Sequence, residues 1–156
     1  SHHDLPVVHS MKSSLQQTDF KPFRILNHLP MAMTAHLVYS AIDAKPATLS
    51  PTMLQVMRDE IGFDGLIMTD DISMKALDGA LPDLTRGALD AGCDVVLHCN
   101  GTLVDRQAVA EAAGEMTGPA HRRAQAALAC RKAPVSVDIS TLSAQLDALT
   151  QGHGHG

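Results

Sequence analysis

Short apolar runs alternate along this chain with longer stretches in which apolar positions recur every three or four residues. Three compact runs stand out: Leu29-Pro30-Met31-Ala32-Met33-Thr34-Ala35-His36, Gly65-Leu66-Ile67-Met68-Thr69 and Asp94-Val95-Val96-Leu97-His98. A continuous apolar run bounded by turn residues is the pattern of a buried parallel strand. Pro30 fits because it stands where its strand begins. Residues 11–28 place Leu15, Phe20, Phe23, Ile25 and Leu26 at helical spacing, interrupted by Pro22. At Thr48-Leu49-Ser50-Pro51 a helix starts: Ser50 can accept from the free N–H groups and Pro51 suits the first helical position. Leu54, Met57 and Ile61 continue it until Gly62. Another helix is predicted near 84–90, stopped by Gly92, and further helical segments near 103–116, 119–131 and 140–149. The opening Ser1-His2-His3-Asp4-Leu5-Pro6 reads as loop, with Pro6 breaking any helix.

Strands near residues 29–36, 65–70 and 93–99, each followed by helical sequence, make βαβ units, and their crossovers force a parallel sheet. The fold class is therefore α/β. An open doubly wound sheet and a (β/α)8 barrel both fit this order. The barrel takes about 250 residues, whereas this chain has 156. Read as a barrel, it is the carboxyl-terminal portion: about three strands with their helices. Residues 1–150 form one unit, and 151–156 a flexible tail in which His153 and His155 alternate with glycine.

Composition narrows the partners. Hydrophobic residues are 45% and charged residues 19%, the mix of an ordered globular domain. Aromatics are only 3% and the net charge is −5, so neither a base-stacking platform nor a basic phosphate-binding footprint exists and no nucleic acid is expected. No run is long enough for a membrane span, and no membrane partner is expected. Cys93, Cys99 and Cys130 are an odd set; Cys93 and Cys99 bracket one strand too far apart to bond within it, and all are expected to be free, buried thiols in a reducing cytoplasm. Their spacing lacks the tight pairs of a zinc site, so no metal is expected.

Candidate chemistry gathers where strands end, because loops there point side chains into a shared crevice. The middle run ends in Asp70-Asp71, and nothing structural requires a carboxylate at the last position of a buried strand. Adjacent residues on a strand face opposite sides, so only one of the two can face a mouth squarely. Asp71 or Ser73 is expected to cap a short helix over 74–77. His36 and His98, at the ends of the outer strands, line a mouth shared with Asp70. A hydrogen-bonded core or rim histidine is the commoner outcome for each. No phosphate cradle, nucleophile elbow or paired-histidine metal helix is present, and no cofactor is expected. The residues by themselves support a carboxylate-using hydrolase or lyase, or a non-catalytic α/β binding fragment.

Five segments in order resemble the family 3 glycoside hydrolases, and among them the bacterial β-N-acetylhexosaminidases of peptidoglycan recycling. They are Ser1-His2-His3-Asp4-Leu5-Pro6, Asp19-Phe20-Lys21-Pro22-Phe23, Met33-Thr34-Ala35-His36 with Ile42-Asp43-Ala44-Lys45-Pro46-Ala47-Thr48-Leu49-Ser50, Gly62-Phe63-Asp64-Gly65-Leu66-Ile67-Met68-Thr69-Asp70-Asp71, and Ala91-Gly92-Cys93-Asp94. After about Asn100 the similarity is only general.

The resemblance implies a TIM barrel and a retaining glycosidase that removes terminal β-linked N-acetylglucosamine from muropeptide or chitooligosaccharide-type sugars in the cytoplasm. Asp70 aligns with the nucleophile and His2 with a general acid/base on a mobile loop. A histidine avoids the mutual pKa elevation of two close carboxyls, and its ordinary pKa of about 6.5 lets it donate and then accept a proton. Asp71, Met74 and His36 are the candidate substrate-binding residues. The family pairs the loop histidine with an Asp two positions earlier, which would precede Ser1. The amino-terminal part of the barrel is the partner this chain then lacks, and alone it is expected to be inactive. A β-glucosidase or xylosidase of the same superfamily is the related alternative, against which the Ser-His loop argues.

Overall fold

The computed structural model describes residues 5–116 and 118–151. His2, and the expected tail from residue 152 on, lie outside them. In chain order the elements are β1 (Val7–Val8), α1 (Lys12–Gln17), α2 (Lys21–Ile25), β2 (Met31–Met33), β3 (Val38–Tyr39) and α3 (Pro51–Gln55). There follow β4 (Leu66–Asp71), α4 (Leu81–Ala91), β5 (Val95–Leu97), α5 (Leu103–Ala113), α6 (Gly118–Ala129) and α7 (Ile139–Gln151). The main sheet has the order β2-β4-β5, parallel throughout, with helices from the crossovers packed against it.

Local chemistry sets the element ends. The Ser50 hydroxyl accepts from the Met53 N–H at 2.9 Å, with Pro51 in the first helical turn, as the sequence predicts. The helix then widens into a single π turn over Val56–Glu60 before Gly62, whose φ of 77° admits no ordinary side chain without strain. Gly65 is demanded by contact. A Cβ there would stand 2.7 Å from the Leu29 carbonyl and 2.8 Å from that of Pro30, against which β4 begins through Leu66 N–H at 2.9 Å. The core beneath the sheet is aliphatic: Leu15, Met53, Leu54, Val56, Ile67 and Ala88 close around an edge-on aromatic pair, Phe20 and Tyr39.

Two expectations change, and one strand is added. Just past the opening loop, Val7–Val8 pairs in parallel with Val38–Tyr39, a strand too short for any periodicity to show. The expected 74–77 helix is instead a pair of turns, Met74 N–H to Asp71 O and Leu77 N–H to Met74 O, both at 3.1 Å. Of the cysteines only Cys93 is buried, because β5 ends at Leu97 and Cys99 has already left the sheet; Cys130 follows α6 on the surface. Burial, with the Asp94 charge beside it, pushes the Cys93 thiol up to about 12.

At the end of the sheet where β4 begins, one carboxylate ties three elements together. Asp94 accepts from the Ile67 N–H at 2.8 Å, from Arg58 at 2.7 Å and from Arg123 of α6 at 3.0 Å. Its side chain is only 4% exposed. Removing a buried charge from such a set costs about 3–5 kcal/mol; here it takes a shared acceptor from two guanidiniums and a backbone N–H, of which Arg123 keeps Asp64 and Arg58 keeps the Phe63 and Gly65 carbonyls. Asp94→Ala is therefore expected to lower the unfolding free energy by about 3 kcal/mol or more, read from the urea midpoint. A loss below about 1 kcal/mol, the range of exposed pairs, would show that the cluster does not hold the sheet's base.

Candidate active site

Because the three strands run the same way, their last residues arrive at one end of the sheet. β2 aligns residue for residue with β4, Met31 opposite Leu66 and Met33 opposite Met68. Between β4 and β5 the register slips. Met68 faces Val95 but Asp71 faces Leu97, so β4 carries one extra residue. A bulge of this kind bends a strand and re-aims side chains, and bulges favour the neighbourhood of active sites. Here the buried Thr69 hydroxyl takes over where the backbone ladder is broken, accepting the Leu97 N–H at 2.9 Å.

At the bulge the two carboxylates differ. Asp70 is half-buried, and its Oδ1 accepts the Asp71 N–H at 2.8 Å. Asp71 is 8% exposed. Its Oδ1 accepts from the Ser73 N–H at 3.0 Å, the Ser73 hydroxyl at 2.7 Å and the Cys99 N–H at 3.2 Å. Burial disfavours its charge, but the bonds from Ser73 and Cys99 outweigh burial and hold the carboxyl below the ordinary aspartate range. The same charges act outward. Desolvation and then the negative Asp71 and Asp70 push the exposed Cys99 thiol up, so it is a poor nucleophile despite its access.

His36 lies under this pair, 5% exposed. Its Nε2 is 2.9 Å from the Asp71 carbonyl and its Nδ1 2.8 Å from the Thr48 hydroxyl, which in turn bonds Thr34 at 2.8 Å. Both ring nitrogens are thus engaged inside the protein. His98 is the opposite case: the residue is half-buried, but both ring nitrogens are buried and neither is hydrogen-bonded among the described residues, with Nδ1 3.7 Å from Asp71 Oδ1. Met74 is half-buried at the end of the turn that Asp71 opens.

The structure therefore brings Asp70, Asp71, Met74, His36 and His98 to one end of the sheet. Sequence reasoning missed Thr34, Thr48 and Cys99 as parts of this set. Thr48 is out of reach of any strand-end rule, since it comes from a short 3-10 turn, Ala47–Leu49. Among the described residues no group of three or more histidine, cysteine or acidic side chains is placed to hold a metal ion.

Residues 1–127 match the glycosyl hydrolase family 3 N terminal domain. The chain belongs to that family. Its α/β fold with parallel sheets is a portion of the family's TIM-type barrel. The beta-hexosaminidase of Alkalilimnicola ehrlichii is 45% identical over 105 residues, which are 64% of this chain and 30% of that protein. The beta-hexosaminidase of Thiobacillus denitrificans is 36% identical over 128 residues, 79% of this chain and 36% of the relative. Among solved structures, the family 3 β-N-acetylglucosaminidase of a Paenibacillus species superposes with a TM-score of 0.73 at 26% identity, covering 89% of this chain and 30% of that one. NagZ from Neisseria gonorrhoeae in complex with N-trifluoroacetyl-D-glucosamine superposes with a TM-score of 0.67 at 33% identity, covering 81% of this chain and 38% of the other. This family 3 chain thus spans about a third of the length of the relatives it matches.

The Asp71 environment sets a pH dependence. A carboxyl held below its unfolded value of 3.8 stabilises the fold above that value, and the contribution disappears as pH falls through the lower, folded pKa. Asp71→Asn is expected to lose about 1 kcal/mol at neutral pH, the net worth of a typical hydrogen bond. It should also show a shallower acid-side decline than the wild type in urea midpoints measured below pH about 5. Parallel declines would show that Asp71 is not held ionised by its neighbours.

Proposed function

We propose that this chain is part of a retaining β-N-acetylglucosaminidase that releases terminal N-acetylglucosamine from muropeptide or related sugars. The observation that carries the reading is a half-buried aspartate, Asp70, at the end of the central strand and within its bulge, in a chain of the glycosyl hydrolase 3 family. The names of the relatives and the sugar analogue seen with a solved neighbour support the substrate class. Peptidoglycan recycling and a cytoplasmic setting belong to the same proposal.

In this mechanism an Asp70 oxygen attacks the anomeric carbon as the bond from that carbon to the leaving oxygen breaks. His2 gives its proton to the leaving oxygen. Water then attacks the same carbon, His2 takes a proton from it, and the bond to Asp70 breaks, restoring both groups. Among the described residues Oδ1 is the Asp70 oxygen that is already hydrogen-bonded, which leaves Oδ2 as the attacking atom. Asp71 and Met74, on the turn that follows, stand where a neighbouring sugar substituent would be met.

Among the described residues the main sheet is open at both sides. Beside β2 runs an apolar groove of about 180 Å³ lined by Phe23, Leu26, Leu29, Met31, Met33 and Phe63. Beside β5 lies a cleft of about 630 Å³ whose walls include Val95, His98, Arg106 and Val109. In the proposed enzyme, neighbouring barrel strands and helices cover both. The chain alone is accordingly expected to show no turnover of a chromogenic β-N-acetylglucosaminide. The barrel completed with an amino-terminal part is expected to turn it over, and Asp70→Ala in it should lose activity by at least about 10³-fold. His2→Ala there should slow the first step least for good leaving groups, which need little protonation. Full activity in Asp70→Ala would exclude the reading.

A further inference from the structure

We infer that His36 is a positioning residue for Asp70, acting through the backbone of Asp71 and not by touching sugar; this rests on the glycosidase reading. Its burial and its two internal hydrogen bonds leave the ring no atom to offer a ligand. What it holds is the residue next to the proposed nucleophile.

The Asp71 carbonyl oxygen is fully used. It accepts from His36 Nε2 at 2.9 Å and from the Met74 N–H at 3.1 Å, one donor for each lone pair. The Ile72 N–H, in the same peptide plane as that carbonyl, donates to the Leu97 carbonyl at 3.0 Å, and across the Asp71 Cα the Asp71 N–H donates to Asp70 Oδ1 at 2.8 Å. Three bonds therefore pin the peptide plane that follows Asp71, and the residue so anchored presents the N–H that orients the Asp70 carboxylate. His36 is the side chain among them, and it reaches across from the loop after β2.

The partners also fix the tautomer. A carbonyl only accepts, so Nε2 carries the proton. In the neutral ring Nδ1 then accepts, and the Thr48 hydroxyl donates to it at 2.8 Å rather than to the more distant Ala35 carbonyl at 3.4 Å, while receiving from Thr34. This Thr34–Thr48–His36–Asp71 chain starts in the crossover between β2 and α3 and ends beside Asp70. The bulge explains the need for it. Past Met68 the β4–β5 ladder is irregular, so the strand's last residues take their position from side chains such as Thr69 and His36.

The test uses the completed barrel with a nitrophenyl β-N-acetylglucosaminide, with kcat counted per folded molecule from thermal unfolding. The Met74 and Leu97 bonds remain in every variant, so the turn is expected to fold. His36→Ala should lower kcat by about 10²-fold, the scale of a small misplacement of a reacting group, while KM changes little. His36→Gln, whose side-chain N–H takes the place of Nε2–H, should recover most of the loss. His36→Asn, which reaches only to Nδ1, should not. Nitrogen NMR of the wild-type chain should show His36 protonated at Nε2 alone. An unchanged kcat in His36→Ala overturns the inference, as do rescue by Asn equal to that by Gln, a rise in KM at constant kcat, or the Nδ1–H tautomer. A wild-type barrel with no turnover overturns the glycosidase reading instead, and the tautomer measurement stands apart from that result.

Discussion

β4 is hydrogen-bonded along both sides, to β2 in even register and to β5 across a bulge, and every candidate group depends on that pairing. Parallel strands deliver their carboxyl ends to the same side, which is why His36, Asp70 and His98 meet although they come from three separate βα units. The in–out alternation of the strand runs on across the one-residue slip, with Thr69 buried, Asp70 half-buried and Asp71 buried, so the adjacent aspartates take unlike environments. Asp71 is drawn into hydrogen bonds with Ser73 and Cys99, and Asp70 is left half-buried with one oxygen held.

The two ends of the sheet handle buried charge differently. At the base, Asp94 is neutralised by Arg58 and Arg123 and acts as a tie between β4, the turn after α3 and α6. At the mouth, Asp71 has no lysine or arginine beside it among the described residues; neutral donors hold its charge, with the His98 ring 3.7 Å away. A guanidinium beside Asp70 and Asp71 would compete for the carboxylate that the proposed reaction needs free. Charge pairing is placed where rigidity is wanted, and neutral hydrogen bonding where a carboxylate must stay available.

Much of this was legible in the sequence. The apolar runs located β2, β4 and β5, and Ser50-Pro51, Gly62 and Gly92 marked helix boundaries because caps and breakers act within a few residues. The parallel sheet followed from the helical crossovers. What escaped was non-local. Val7–Val8 is a strand only because Val38–Tyr39 lies beside it. The bulge depends on how β5 meets β4, which no period within β4 records. The 74–77 segment has helical composition, yet Asp71 closes it into turns through its own backbone and carboxylate. Asp70, His36 and His98 were flagged from strand ends alone. The Thr34–Thr48 link to His36 was invisible because a 3-10 turn supplies half of it.

The central claim is that the Asp70 carboxylate bonds transiently to a sugar carbon, and covalent trapping addresses it most directly. The completed barrel, incubated with a fluorinated N-acetylglucosaminide that accumulates the intermediate, would be digested and its labelled peptide sequenced by mass spectrometry. The account predicts one sugar per molecule, attached at Asp70. Attachment at Asp71 or any other residue, or turnover with no trapped adduct, would contradict it.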